Sequence, residues 1–369
     1  MYRKVPHEQR KEDMKNKKEN ESTQNKREML FIINIKAGTG YKRDEIRELI
    51  SIVQAHLDPF TSLAVETVSD HPAITRITKS FVSKNKKEKI IIAGGGGGTL
   101  SAVITAICSL KEKNKTPLDR IKIGALRMGS GNVIAKLLGI PKDPAEGLVK
   151  IMEGIRGNYK KKVCIGRFDF ENNLDKQITI YGATLMGFGE FGHVPGEAAQ
   201  FNKKFPFLHQ LFSKLIGIEF LNTCEYIACL LKRSLIRFFN PHTLYKAKIS
   251  SKGISFTQKI ISGLIMNFPV HGIPIDPGIS MSDERLYLHT IPYNKRRDTL
   301  FSVFQPQKLK GSSFYITPQQ PARIQLNHHK AIEVFIDEDP YVINNKIDIS
   351  IAGTLDFITD PGSVMCTTH

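Results

Sequence analysis

Three glycine-rich turns carry the clearest chemistry in this chain. Gly94 to Gly98, followed by Thr99, comes directly after the apolar run Lys89-Ile90-Ile91-Ile92-Ala93. Asn34-Ile35-Lys36-Ala37-Gly38-Thr39-Gly40 follows Phe31-Ile32-Ile33, and Arg127-Met128-Gly129-Ser130-Gly131-Asn132 follows Ile121 to Leu126. Glycine lets backbone amides approach a ligand closely, and amides that open a helix favour an anion. The turns therefore suit phosphate groups. Acids stand far downstream, at Asp276, at Asp283-Glu284, and at Asp337-Glu338-Asp339 ahead of Pro340. Polyphosphate chemistry needs a cradle for the phosphates, neutralisation of charge by a metal, and a base near the acceptor hydroxyl.

The elements that must position these residues are strand–turn–helix units. Short β-branched runs bounded by glycine read as parallel strands covered on both faces. Three such units within about a hundred residues predict one crevice at the carboxyl ends of the strands. The first strand spans 29–35, and 44–50 continues as a helix with apolar residues at helical spacing. Leu63 to Val68 reads as another strand, and His71-Pro72-Ala73 opens a helix in which His71 is read as a surface or capping residue. From Leu100 to Lys111 the inner stripe is Ala102, Val103, Ala106 and Ile107. Asp143-Pro144-Ala145-Glu146 has the composition of a helix start.

Beyond Gly157 the texture changes. Short runs at 162–168, 178–186, 245–250, 259–266, 286–291, 332–336 and 347–351 are divided by turns, a spacing that favours an antiparallel sandwich or barrel. Between Phe201 and Phe239 lies a helical interruption. Its apolar series (Phe205, Phe207, Leu211, Phe212, Leu215, Ile218, then Ile227, Leu230, Leu231, Leu235, Ile236) runs beside Lys203, Lys204, Lys214, Lys232, Arg233 and Arg237. Such helices lie in a membrane interface or pack on a sheet with the basic face solvated.

The 369 residues carry a net charge of +17, which favours anionic partners. Five scattered cysteines form no zinc-type spacing, so a reducing, cytoplasmic compartment is expected. Cys108 and Cys229 read as small core hydrophobes. Neither a signal-type h-region nor a membrane-spanning apolar run appears. Residues 1–28 hold few apolar side chains and read as a disordered basic arm. The charge also admits a nucleic-acid partner, but no signature for one is present and none is expected.

The turns Asn34 to Gly38, Gly95-Gly96-Gly97-Gly98-Thr99 and Arg127 to Asn132 resemble, in order and spacing, those of the diacylglycerol kinase catalytic domain family, which includes sphingosine kinases and is related to NAD kinase. The resemblance implies an α/β N-terminal domain with a parallel three-layer sheet and a C-terminal antiparallel β-sandwich domain carrying the lipid site. The divisions would be 29–157, 158–355 and a tail, 356–369. It implies ATP and Mg2+, a lipid acceptor of diacylglycerol or sphingoid type, and peripheral contact with an anionic membrane surface; a homodimer is compatible with it. The implied nucleotide-binding residues are Asn34, Gly38, Thr67, Gly95, Gly96, Gly97, Gly98, Thr99, Gly129, Ser130 and Asn132. Asp283 matches an aspartate associated with magnesium, and Tyr287 replaces a second. Asp337 and Asp339 match the proposed catalytic pair, and their alternation on a strand would let both serve one site. Lys36 and Arg127 would add positive charge. The chain departs from the family at Gly97, where the family has aspartate, and at Ala102, Ile35 and Arg127. The loss of that acid admits a binding-only regulator as the alternative.

Overall fold

The computed structural model describes residues 27–38, 40–84, 87–114, 118–129, 133–204, 218–241, 244–269, 275–304, 308–327, 332–337 and 339–365. Strand β1 (Arg27–Asn34) is buried from Met29 onward. It pairs in parallel with β2 (Thr61–Val68) on one side and β3 (Lys89–Gly95) on the other. Next to β3, again in parallel, runs β4 (Ile121–Arg127). The β-branched runs thus become a parallel sheet in the order β2-β1-β3-β4. Of the expected arm, only Arg27 and Glu28 fall among the described residues; they begin β1 and pair with Glu88 and Lys89.

Helices α1 (Arg43–His56), α2 (His71–Ser83), α3 (Gly97–Asn114) and α5 (Pro144–Gly157) pack as two neighbouring pairs, α1 with α5 and α2 with α3. The short α4 (Val133–Leu137) follows β4. Asp70 caps α2 by accepting from the Ala73 amide at 2.7 Å, and Asp143 caps α5 through the Glu146 amide at 2.9 Å. Each cap satisfies a helix-start amide that would otherwise lack a partner. Asn158 ends α5 in the left-handed region, at φ +55°. Ala102, Val103, Ala106 and Ile107 are all buried.

The rest of the chain is mostly antiparallel: β5 (Lys160–Asn172), β6 (Gln177–Gly182), β7 (Leu185–Gly189), β8 (Tyr245–Ser251), β9 (Ile254–Met266), β10 (Leu286–Pro292), β11 (Ser313–Ile316), β12 (Ala322–Asn327), β13 (Ile332–Ile336) and β14 (Asp339–Ile358). A second core forms from residues including Phe168, Phe188, Tyr245, Leu288, Ile324, Val334 and Ile347. The run at 178–186 divides into β6 and β7 at Ala183-Thr184, and β11 and β12 had no sequence signal strong enough to place them.

The larger correction concerns β14. It extends far beyond the expected 347–351, and the tail expected from 356 begins inside it. β14 pairs with β5 and β13, then turns parallel to β4 at Asp356 and Phe357. The expected two sheets are therefore one hydrogen-bonded network. The changeover falls at a register shift by Gly353, whose φ of +126° is open to glycine and strained for other residues. Before it, Ile343, Ile347 and Ile349 enter the second core; after it, Leu355, Phe357 and Ile358 enter the first.

Three helices, α6 (Val194–Lys204), α7 (Ile218–Phe239) and α8 (Asp298–Phe304), group together, and α9 (Pro361–Met365) follows β14. The expected solvated basic face of α7 is not what forms. Arg233 and Arg237 turn onto buried Glu190 at 2.8 and 2.5 Å, and Arg233 and Lys232 meet Glu197 at 2.7 and 3.0 Å. Ile227, Leu235, Ile236 and Phe239 are exposed instead. The apolar residues expected between 205 and 217, with Lys214, lie outside the described residues. No described helix is long and apolar enough to cross a membrane.

Candidate active site

The three glycine turns meet at the carboxyl ends of β1, β3 and β4. At the end of β1, the Asn34 side chain accepts from the Lys36 amide at 3.1 Å and donates to Thr99 Oγ1 at 2.9 Å, tying the first turn to the second. Met128 N–H donates to the Gly95 carbonyl at 3.1 Å and Tyr41 Oη donates to the Met128 carbonyl at 3.3 Å, tying in the third. Two glycines are required by close approach. A Cβ on Gly38, at φ +61°, would stand 2.8 Å from the Met128 carbonyl oxygen, and one on Gly95 would stand 2.2 Å from Thr99 Oγ1. At Gly96 the direction is open toward Gly129, whose Cα is 3.8 Å from a Cβ built there.

Helix α3 opens at this junction, with the Gly96 carbonyl accepting from Thr99 and Leu100. The amides of Gly97 and Gly98 stand in the first turn, before Thr99 makes the first bond back to Gly96, a position suited to an anion. Thr67 lies near the end of edge strand β2, exposed and opposite Ile33. Lys36 is exposed, and Arg127 Nη1 reaches the Ile140 carbonyl at 3.5 Å. Ser130, Asn132 and Glu338 lie outside the described residues.

The two expected catalytic acids part company. Asp337 is not on a strand but in the β13–β14 turn, with left-handed backbone at φ +49°. Its carboxylate accepts from the amides of Ala183, Thr184 and Leu185 at 2.6, 2.7 and 3.3 Å, and from Thr184 Oγ1 at 2.5 Å. Burial pushes its pKa up while these bonds oppose the rise. Asn267 braces the same turn, donating to the carbonyls of Cys164 and Ala183 at 2.9 and 2.8 Å. Asp337 therefore closes the β6–β7 turn, and the expected shared strand face with Asp339 does not form.

Asp339 is the acid that reaches the glycine turns. A Cβ built on Gly98 would lie 3.1 Å from Asp339 Oδ1. Burial pushes its carboxyl up to about 6; His71 opposes the rise and Asp337 adds to it. Burial likewise raises the neighbouring Tyr341 phenol, with Asp339 and Asp337 adding. Asp283 sits in the loop before β10, where its carboxylate accepts from the Ser280 amide at 3.2 Å and pairs with Arg285 at 3.1 Å.

His71 is the residue that sequence reasoning set aside. Its ring lies against Gly98, with Cε1 and Nε2 at 2.7 and 2.8 Å from a Cβ built there. One signal was available: it starts a helix immediately after a parallel strand, on the side where the crevice opens.

The crevice fits a nucleotide's phosphates, since amides line it and side chains at Gly96 and Gly98 would fill it. A bound divalent ion is a poorer fit. No group of three or more acidic, histidine or cysteine side chains able to hold a metal forms among the described residues, and Asp283 is taken by Arg285.

A mixed α/β fold with glycine turns gathered at parallel strand ends is a geometry suited to phosphate groups. Residues 28–163 match the model of the diacylglycerol kinase catalytic domain. Over 91% of its length the chain has the fold of solved diacylglycerol kinases. A diacylglycerol kinase from Bacillus anthracis str. Sterne is similar with a TM-score of 0.58 at 16% identity, over 91% of this chain and 98% of that one. Yeast NADH kinase, solved in complex with NADH, is similar with a TM-score of 0.51 at 9% identity, over 91% of this chain and 84% of that one. No curated protein sequence matches the chain.

Proposed function

We propose that the protein is an ATP-dependent lipid kinase, moving the γ-phosphoryl group of ATP to the hydroxyl of a diacylglycerol or a sphingoid-type lipid. The observation that carries this reading is the meeting of three glycine turns at the amino end of α3, with the Asp339 carboxylate across Gly98. The amides hold the phosphates. Asp339, with a carboxyl near 6, is a stronger base than an ordinary carboxylate and is largely ionised at neutral pH. As the acceptor oxygen bonds to the γ-phosphorus, the bond to the bridging oxygen breaks, its electron pair leaves on ADP, and the acceptor proton passes to Asp339. Magnesium is proposed to enter with ATP, held by the phosphates, and no step is assigned to it. A lipid acceptor brings the protein to a membrane surface from the cytoplasm, and the net charge of +17 suits an anionic one.

Gly97 favours a second reading, a nucleotide- or lipid-binding regulator without turnover, because it brings no side chain to the helix start. Purified protein with labelled ATP and a mixed lipid extract separates the two. Labelled phospholipid supports the kinase. No product, with thermal stabilisation by ATP retained, supports the regulator. Gly96→Val is expected to abolish that stabilisation, because its side chain enters the space facing Gly129; an unchanged thermal shift would remove the nucleotide site from these turns.

A further inference from the structure

Gly98 separates two groups from distant parts of the chain. A Cβ built there would lie 2.8 Å from His71 Nε2 and 3.1 Å from Asp339 Oδ1, which bounds the separation of those atoms at about 5.9 Å. A pair this close is coupled electrostatically, since opposite charges act on each other's ionisation within about 4–6 Å. The position of His71 follows from its helix. Asp70 caps α2, Pro72 sits in its first turn, and the imidazole projects from the same turn, exposed. Two helix amino ends thus converge on one carboxylate.

We propose that His71 is a positioning residue for Asp339, the two acting as one unit across the amino end of α3. The charge His71 carries when protonated keeps the carboxylate ionised, and its ring limits where that carboxylate can lie. Three groups act on Asp339 among the described residues. Asp337, from the β13–β14 turn, opposes ionisation; the neighbouring Tyr341 is a neutral phenol whose own ionisation is suppressed; His71 alone among these side chains favours the charged form. Because Gly97 adds no side chain, the environment of the base is set from α2, by His71. The inference deepens the kinase reading and rests on it for the role of Asp339, but the pairing can be observed without turnover.

The experiment has two arms, run on the full chain with His71→Gln and His71→Lys, and with thermal stabilisation by ATP as the control for folding. In the first, the Asp339 carboxyl is followed by 13C NMR across pH, its signal assigned with Asp339→Asn. In the second, kcat/KM is measured across pH with ATP and a short-chain diacylglycerol in mixed micelles. Losing His71 removes the influence that lowers the Asp339 pKa, so His71→Gln should raise the midpoint by about half to one unit. The acid limb of kcat/KM should move up by the same amount. That predicts about a two- to fivefold loss near pH 6, approaching about three- to tenfold at lower pH and narrowing to under about twofold above pH 8. His71→Lys should restore both toward wild type. A midpoint that does not move in His71→Gln overturns the pairing whatever the activity. A moved midpoint with an unmoved acid limb overturns the positioning role. A wild type silent toward the lipid but with a moved midpoint supports the pairing and removes the kinase reading.

Discussion

At the scale of the residue, two aspartates two positions apart do different work, and their surroundings decide which. Four donors hold Asp337, so Asp337→Ala strands one buried and two partly buried amides; the expected cost is about 2–3 kcal/mol in urea unfolding, beyond any effect on rate. Asp339 lacks that enclosure and faces the helix start. Asp339→Asn is expected to lower kcat by about 10²–10⁴-fold while ATP still stabilises the protein. The sign of the pH dependence follows from the raised carboxyl. A base must be ionised, so wild-type turnover should fall as pH drops through about 6. Activity flat from pH 8 to pH 5 would remove Asp339 from that role. The glycine turns were legible because amide cradles are local, encoded in a few adjacent residues. His71 and Asp337 were not. His71 gains meaning only when β14 brings Asp339 beside it, and one left-handed residue at 337 cancels the strand alternation that sequence spacing implies.

At the scale of the element, β1, β3, β4, the start of α2 and the cap of α5 were readable from β-branched runs and the His71-Pro72 and Asp143-Pro144 starts, whereas the cap of α2 proved to be Asp70 and not His71. The polarity of α7 was misread. Its arginines suggest a wet basic face, yet Glu190 and Glu197 arrive from segments preceding it in the chain and pull them inward. Periodicity along one helix carries no information about acids on another segment. The pairing has an energetic consequence. Glu190→Ala leaves two largely buried guanidinium groups short of their carboxylate, so a loss of about 3–5 kcal/mol is expected in denaturant unfolding. A change below about 1 kcal/mol would show that solvent reaches both arginines.

At the scale of the molecule, the net charge of +17 remains although α7 contributes little free cation to it. Co-sedimentation with phosphatidylserine vesicles is expected to be strong at low salt and to weaken severalfold by about 0.5 M, as screening shortens the field. Binding insensitive to salt would point instead to the exposed Ile227, Leu235, Ile236 and Phe239.

The course of β14 has a mechanical meaning. It opens at Asp339 and ends at Ile358 in the first core, so one strand ties both halves together like a rod through two plates. Pulling them apart would mean tearing a ladder of backbone bonds along its length, so the two cores should melt together and not in sequence. The rod is irregular at two places, between Ile343 and Ile347 and at Gly353. A residue with a side chain at 353 would be strained there, so Gly353→Val should lower the shared melting temperature of both cores.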